Sequence, residues 1–223
     1  MMKTSNTLRV ADVLERYGSC LELVPMDPNF KNISVGLYVK NGICTVWTFS
    51  GKRGVEARIE QIRDQLVALG GMEAVSGTYN QARFACGFLH ERPMKFLMTQ
   101  AVGKAPDYAP PQGEMTIRDS RSPLTIKVSG SQRDDAYVYS VSVEGDAPRP
   151  AVRLRMVVAG FLRYGEMQKV GDTEVVFPCG SRHDELMRLL LPYSRNISSV
   201  EGMMAAEALR GQMTTGTLGF SQT

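Results

Sequence analysis

Histidine and tryptophan are both scarce in this chain, with 2 His and 1 Trp in 223 residues. Several familiar signals are missing altogether. There is no Walker-type phosphate loop, no dinucleotide-binding glycine pattern, no Gly-x-Ser-x-Gly elbow and no His-x-x-x-His pair, which argues against an energy-coupled or nicotinamide-dependent enzyme. Long hydrophobic runs are lacking too. The longest strongly apolar stretch, Met156 to Leu162, falls far short of the ~20 residues needed to span a bilayer. Met1 to Val10 carries an early lysine with no apolar run behind it, so no secretory signal is expected. Neither sign of charge dominates: 26 Lys and Arg against 23 Asp and Glu leave +3, too little and too dispersed to imply a polyanionic partner.

What is present fits a folded globular protein, with 43% hydrophobic and 22% charged residues and room for one large domain or two small ones. The 4 cysteines, without a secretory signal, read as thiols or metal ligands of a soluble cytoplasmic protein rather than as disulfides.

Internal repetition is the strongest signal. Gly70, Met72, Val75 and Thr78 match Gly165, Met167, Val170 and Thr173 in register. After a gap of two residues, Phe84-Ala85-Cys86-Gly87-Phe88-Leu89-His90-Glu91 lies over Phe177-Pro178-Cys179-Gly180-Ser181-Arg182-His183-Asp184, so both histidines become equivalent. The register continues through Met94 with Met187 and Leu97 with Leu190. Upstream, Arg58, Ile59, Ile62 and Leu66 meet Arg153, Leu154, Val157 and Phe161. A gap of this size is what a hairpin of different length leaves behind.

Periodicity divides the chain in the same way. Val55, Ile59, Ile62 and Leu66 recur at helical spacing and predict a helix over about 54–69, closed by Gly70 and Gly71. Its counterpart begins at Pro150, suited to a first helical turn, and ends before Gly165. Strands are expected at Ile33–Val39 and Ile43–Phe49, joined by the tight-turn pair Asn41-Gly42, and at Leu124–Val128 and Ala136–Val143. Two short strands and a further helix follow each long helix, the last of these over Asp184–Leu191. The first half adds an opening helix, Val10–Tyr17, and a strand, Ser19–Leu23. The second half adds a helix over Ser198–Met213, whose Ser198-x-x-Glu201 fits a capping box.

The fold class is therefore α+β: an internal duplication of a ββαββα unit, with antiparallel sheets backed by helices and a pseudo-two-fold arrangement of the halves, as a fused dimer would keep. Residues 1–104 form the first repeat with its N-terminal helix. Residues 105–113, with Ala109-Pro110-Pro111, form a stiff connector, and 114–223 form the second repeat with its C-terminal helix.

Chemistry concentrates in the repeated Cys-Gly-x-x-His segments. Each places a cysteine at the end of a strand, then a glycine, then a turn into a helix whose N-terminus favours anions and thiolates and keeps a nearby imidazole neutral. If the two copies face one another, Cys86, His90, Cys179 and His183 supply two sulfurs and two nitrogens to one tetrahedral zinc. Two other readings stay open. The cysteines can be small core residues and the histidines helix caps, with Ser181-x-x-Asp184 as a capping box. Alternatively, Cys86 or Cys179 can be a nucleophile activated by its histidine, with Glu91 or Asp184 orienting the ring. Cys20 and Cys44, on apolar strands far in sequence from any histidine, read as core.

Gly51-Lys52-Arg53-Gly54, ahead of the first long helix, offers Lys52 and Arg53 to an anionic ligand. Tyr38 and Trp47 lie on neighbouring strands near Arg53, where they could stack single-stranded nucleic acid, though core packing is the expected role. With its opening helix and strand, the first half reads αβββαββα. That order resembles the small type III secretion chaperones, which bind partner proteins as dimers; this chain is basic where those chaperones tend to be acidic. The resemblance covers about half of the chain and implies a partner-binding role. The expected function is accordingly an intracellular binding protein, chaperone-like in its use of a ligand or partner site between two pseudo-symmetric halves. The expected partner is a protein or small molecule rather than nucleic acid or membrane, with a homodimer open. The alternative is a zinc-dependent or cysteine-based enzyme.

Overall fold

The structure, a computed structural model, describes residues 19–25, 33–48, 54–103, 112–118, 124–145 and 149–195. The expected helices over 10–17 and 198–213 and most of the connector lie outside the described residues. The chain divides into two compact units, Met1–Pro111 and Gln112–Thr223.

In the first unit the described elements are β1 (Ser19–Pro25), β2 (Ser34–Lys40), β3 (Ile43–Thr48), α1 (Val55–Gly70), β4 (Glu73–Ala74), β5 (Gln81–Arg83) and α2 (Glu91–Gly103). The strands make a 5-stranded antiparallel sheet in the order β1-β2-β3-β5-β4. The β2–β3 hairpin turns at Asn41 and Gly42, both with positive φ (52° and 73°). These are the values a two-residue turn needs to match the strand twist, and Asn and Gly are the residues that tolerate them.

Helix α1 starts after Gly54 and ends where Gly71, in the left-handed region, returns its N–H to the Val67 carbonyl. Val55, Ile59, Ile62 and Leu66 are all buried, as the helical spacing predicts. Leu37 and Val46 of the sheet and Met94, Leu97 and Met98 of α2 are buried as well. Arg58 is buried at 8% exposure and donates from Nη2 to the Val102 carbonyl at 2.8 Å. This places a cation on the last turn of α2, where the helix dipole favours it.

The second unit contains β6 (Met115–Arg118), β7 (Thr125–Arg133), β8 (Ala136–Glu144), α3 (Pro150–Gly165), β9 (Gln168–Gly171), β10 (Glu174–Val176) and α4 (Asp184–Arg195). Its 5-stranded antiparallel sheet has the order β6-β7-β8-β10-β9, the same plan as the first. Both units thus read βββαββα. The minimal ββαββα unit expected from sequence is one strand short, because β6 went unseen. β6 is a short edge strand on which only Met115 is buried, so its sequence signal is weak.

The helices close on each other at matching glycines. A Cβ on Gly70 would stand 2.5 Å from Leu97 Cδ2, and one on Gly165 would stand 3.0 Å from Leu190 Cδ1. The main difference between the units is in the second hairpin. β7 and β8 have 9 residues each, against 7 and 6 in β2 and β3. The lengthened arm is fastened to β10 by a bidentate ion pair, Arg133 Nη1 and Nη2 to the Glu174 carboxylate at 2.9 and 2.5 Å. At the far side of the sheets, β4 is only 2 residues long with both side chains exposed, and three of the 4 residues of β9 are exposed.

Among the described residues, no helix is long and apolar enough to cross a membrane.

Candidate metal centre

Each Cys-Gly-x-x-His segment follows a 3-residue strand, β5 or β10, and folds into the same turn. The Gly87 N–H donates to the Phe84 carbonyl at 3.0 Å, and the Gly180 N–H to the Phe177 carbonyl at 2.8 Å. Both glycines sit at φ near +70° (72° and 71°), a conformation costly for any other residue. The chain then bends back over the cysteine, so the N–H two residues on points at its sulfur: Phe88 N to Cys86 Sγ at 3.4 Å and Ser181 N to Cys179 Sγ at 3.3 Å. Next comes the histidine, whose carbonyl accepts the first helical bond, from Met94 N to His90 O (2.9 Å) and from Met187 N to His183 O (3.0 Å). The turn and the helix start together bring each imidazole back against its own cysteine.

The resulting distances are Cys86 Sγ to His90 Nε2, 3.5 Å, and Cys179 Sγ to His183 Nε2, 3.2 Å. Zinc bonds of about 2.3 Å to sulfur and about 2.0 Å to nitrogen, opened to a tetrahedral angle, set S and N about 3.5 Å apart. Each pair is therefore already at the separation of two ligands on one ion. The histidines are buried (1% and 6% exposed) while the cysteines are half-buried. Each imidazole is gripped edge-to-face by the phenylalanine that opens its segment, Phe84 at 5.0 Å and Phe177 at 5.2 Å between ring centres. Burial lowers the His183 pKa against the opposing pull of Glu185 and Asp184, which favours the neutral ring. The ligand atoms of Cys86, His90, Cys179 and His183 form a single group in which all lie within 4.8 Å of one another. Two sulfurs and two imidazole nitrogens make a donor set suited to an ion such as zinc.

Around His183 there is a second layer of contacts. The Tyr139 hydroxyl accepts the His183 backbone N–H at 2.6 Å and donates to Asp184 Oδ1 at 3.1 Å. Arg182 holds the other carboxylate oxygen of Asp184 through Nε (2.8 Å) and Nη2 (2.5 Å), and its guanidinium lies 5.4 Å from the centre of the Tyr137 ring. Helix α4 begins at Asp184 itself. The capping box expected of Ser181 and Asp184 is thus out of register, and the carboxylate serves Tyr139 and Arg182. Glu91, the counterpart of Asp184, pairs with Lys95 one turn on, at 3.2 Å. Both carboxylates proposed to orient a catalytic histidine therefore have other partners.

Cys44 is buried and free, as expected of a core thiol. Cys20 lies on β1, where no side chain is described. Tyr38 is buried at 3% exposure and its ring covers Gly36 on its own strand, while Trp47 is part-buried. Lys52 and Arg53 lie outside the described residues. The residues that sequence reasoning left without a role are Tyr139 and Arg182, together with the two phenylalanines. Only the phenylalanines carried a readable signal, by recurring at the head of both copies. Compared with protein-family models, curated proteins and solved structures, the chain matches none of them.

Proposed function

We propose that this chain is a zinc-binding protein in which Cys86, His90, Cys179 and His183 hold one ion, and that it works by binding rather than by catalysis. The observation that carries this reading is the gathering of four ligand atoms within 4.8 Å of one another, built from two turns of the same design. Two thiolates cancel the charge of Zn²⁺ and two neutral imidazoles complete the shell, so the centre is uncharged and tolerates half-burial. Backbone N–H groups aimed at each sulfur supply the partial positive charge that a ligating thiolate draws on. With all four positions filled by protein, no site is left for water or substrate, which is the pattern of structural zinc. The metal's contribution is a cross-link between residues far apart in sequence.

The shared βββαββα order and strand order support descent of the two halves from one copied unit, each copy contributing one sulfur and one nitrogen. A protein partner or small-molecule ligand is the remaining part of this binding role. Protein purified without a metal-affinity tag should contain about one zinc per chain by elemental analysis, and Cys86→Ser and His183→Ala should each abolish it. Metal-free protein whose melting is indifferent to added zinc and to both substitutions would end the proposal.

A further inference from the structure

We infer that Tyr139, braced by Asp184 and Arg182, is a positioning residue that makes the Cys179–His183 pair the pre-set half of the metal centre, onto which the Cys86–His90 pair closes. The inference rests on the zinc reading above.

The strand registers show how differently the two pairs are supported. Ala82 of β5 faces Cys44 on β3, and its repeat counterpart, Val175 of β10, faces Tyr139 on β8. Cys44 and Tyr139 therefore occupy the same place in their sheets. The tyrosine hydroxyl spans the gap to the turn and takes the His183 N–H, so the backbone at that ligand is held by a side chain of the sheet. A cysteine is too short for that role. In the first unit, His90 adopts φ +52°, a left-handed conformation unusual for a non-glycine residue, whereas His183 is not among the residues with positive φ.

Edge-to-face rings extend the same support: Tyr139 meets Phe177 at 5.9 Å, and Phe177 meets His183 at 5.2 Å. In the other unit the turn itself adds a ring, Phe88, which is 44% exposed and tilts against His90 at 5.2 Å. The Sγ to Nε2 distance is correspondingly shorter in the braced pair, 3.2 against 3.5 Å. Contacts that fix a ligand's orientation without touching the ion change metal affinity by ~10–100-fold when removed.

The test uses Co²⁺ as the probe, titrated into the full metal-free chain, because its visible absorption reports the ligand set independently of affinity. Tyr139→Phe should weaken Co²⁺ binding by roughly tenfold or more while keeping the tetrahedral S₂N₂ spectrum and melting near the parent in the metal-free form. Cys44→Val, at the matching place in the other sheet, should bind within about twofold of the parent. Arg182→Ala provides a second reading should Tyr139→Phe fail to fold, since this largely exposed side chain acts through Asp184; a several-fold loss is expected. Parent-like affinity in every Tyr139 or Arg182 variant that folds overturns the positioning role and leaves the zinc reading standing. A parent chain that takes up neither Co²⁺ nor Zn²⁺ overturns both.

Discussion

Cys44, next to the start of β3, has 1% of its surface exposed, and burial pushes its thiol from 9.0 up to about 12. The cause is the removal of the anion from water. Such a thiol stays protonated at neutral pH and is a poor nucleophile. Cys86 and Cys179 are half-buried at strand ends. Iodoacetamide at pH 8 should therefore modify Cys86 and Cys179 in metal-free folded protein, spare Cys44, and reach Cys44 only after denaturant is added. Peptide mapping by mass spectrometry reads this directly, and native labelling of Cys44 at the rate of Cys86 would contradict it.

The same shift ties stability to pH. The folded-state value is the higher one, so its stabilising effect is complete below 9.0 and drains as pH climbs toward about 12. Cys44→Val should flatten the alkaline loss of stability across that window, as measured by urea unfolding at stepped pH.

Where helices touch, three glycines set the closeness of approach. Gly70→Ala puts a methyl 2.5 Å from the movable end of Leu97, and Gly165→Ala meets Met167 and Leu190 at 2.9 and 3.0 Å. Gly160→Ala differs in kind, because its nearest neighbour is the Ser194 Cα at 2.6 Å and backbone cannot rotate away. Overpacking at a side chain costs ~1–3 kcal/mol, and the backbone case belongs at or above the upper end. Chemical denaturation should rank Gly160→Ala as the most damaging of the three; equal losses would contradict the ordering.

Legibility at this scale followed local chemistry. The Asn41-Gly42 turn, the Gly70-Gly71 stop and the Pro150 start could be read because each demands a particular backbone shape, and the structure places a turn, a helix end and a helix start there. Strand β6 escaped because four residues with one buried side chain carry almost no periodic signal. The equivalence of Cys44 with Tyr139 was hidden for a different reason. Cys44 and Tyr139 follow the register of the long helices, two residues off that of the histidines, and the two side chains share no chemistry that would mark them as a pair.

The molecule consists of two compact units of one plan. That two rare histidines and two cysteines recur together could be read from the letters. Their distances depend on how strand, turn and helix fold, and no pattern of residues states those. Under the zinc reading, the ion closes a loop of chain from one segment to the other, which removes freedom from the unfolded state much as a disulfide does. Zinc-loaded protein should then melt in a single transition at higher temperature. Stripping with a strong chelator should lower the midpoint and separate the melting of residues 1–111 from that of 112–223, as followed by calorimetry. A chelator-insensitive melting curve would count against the cross-link.

The stunted outer strands β4 and β9 also have a consequence. A stretch of two to four residues with mostly exposed side chains offers too little backbone for a foreign chain to zip onto. The β4 and β9 borders are therefore poor templates for strand recruitment, β6 is as short as β9, and an assembly that extends one of these sheets would grow along the 7-residue β1.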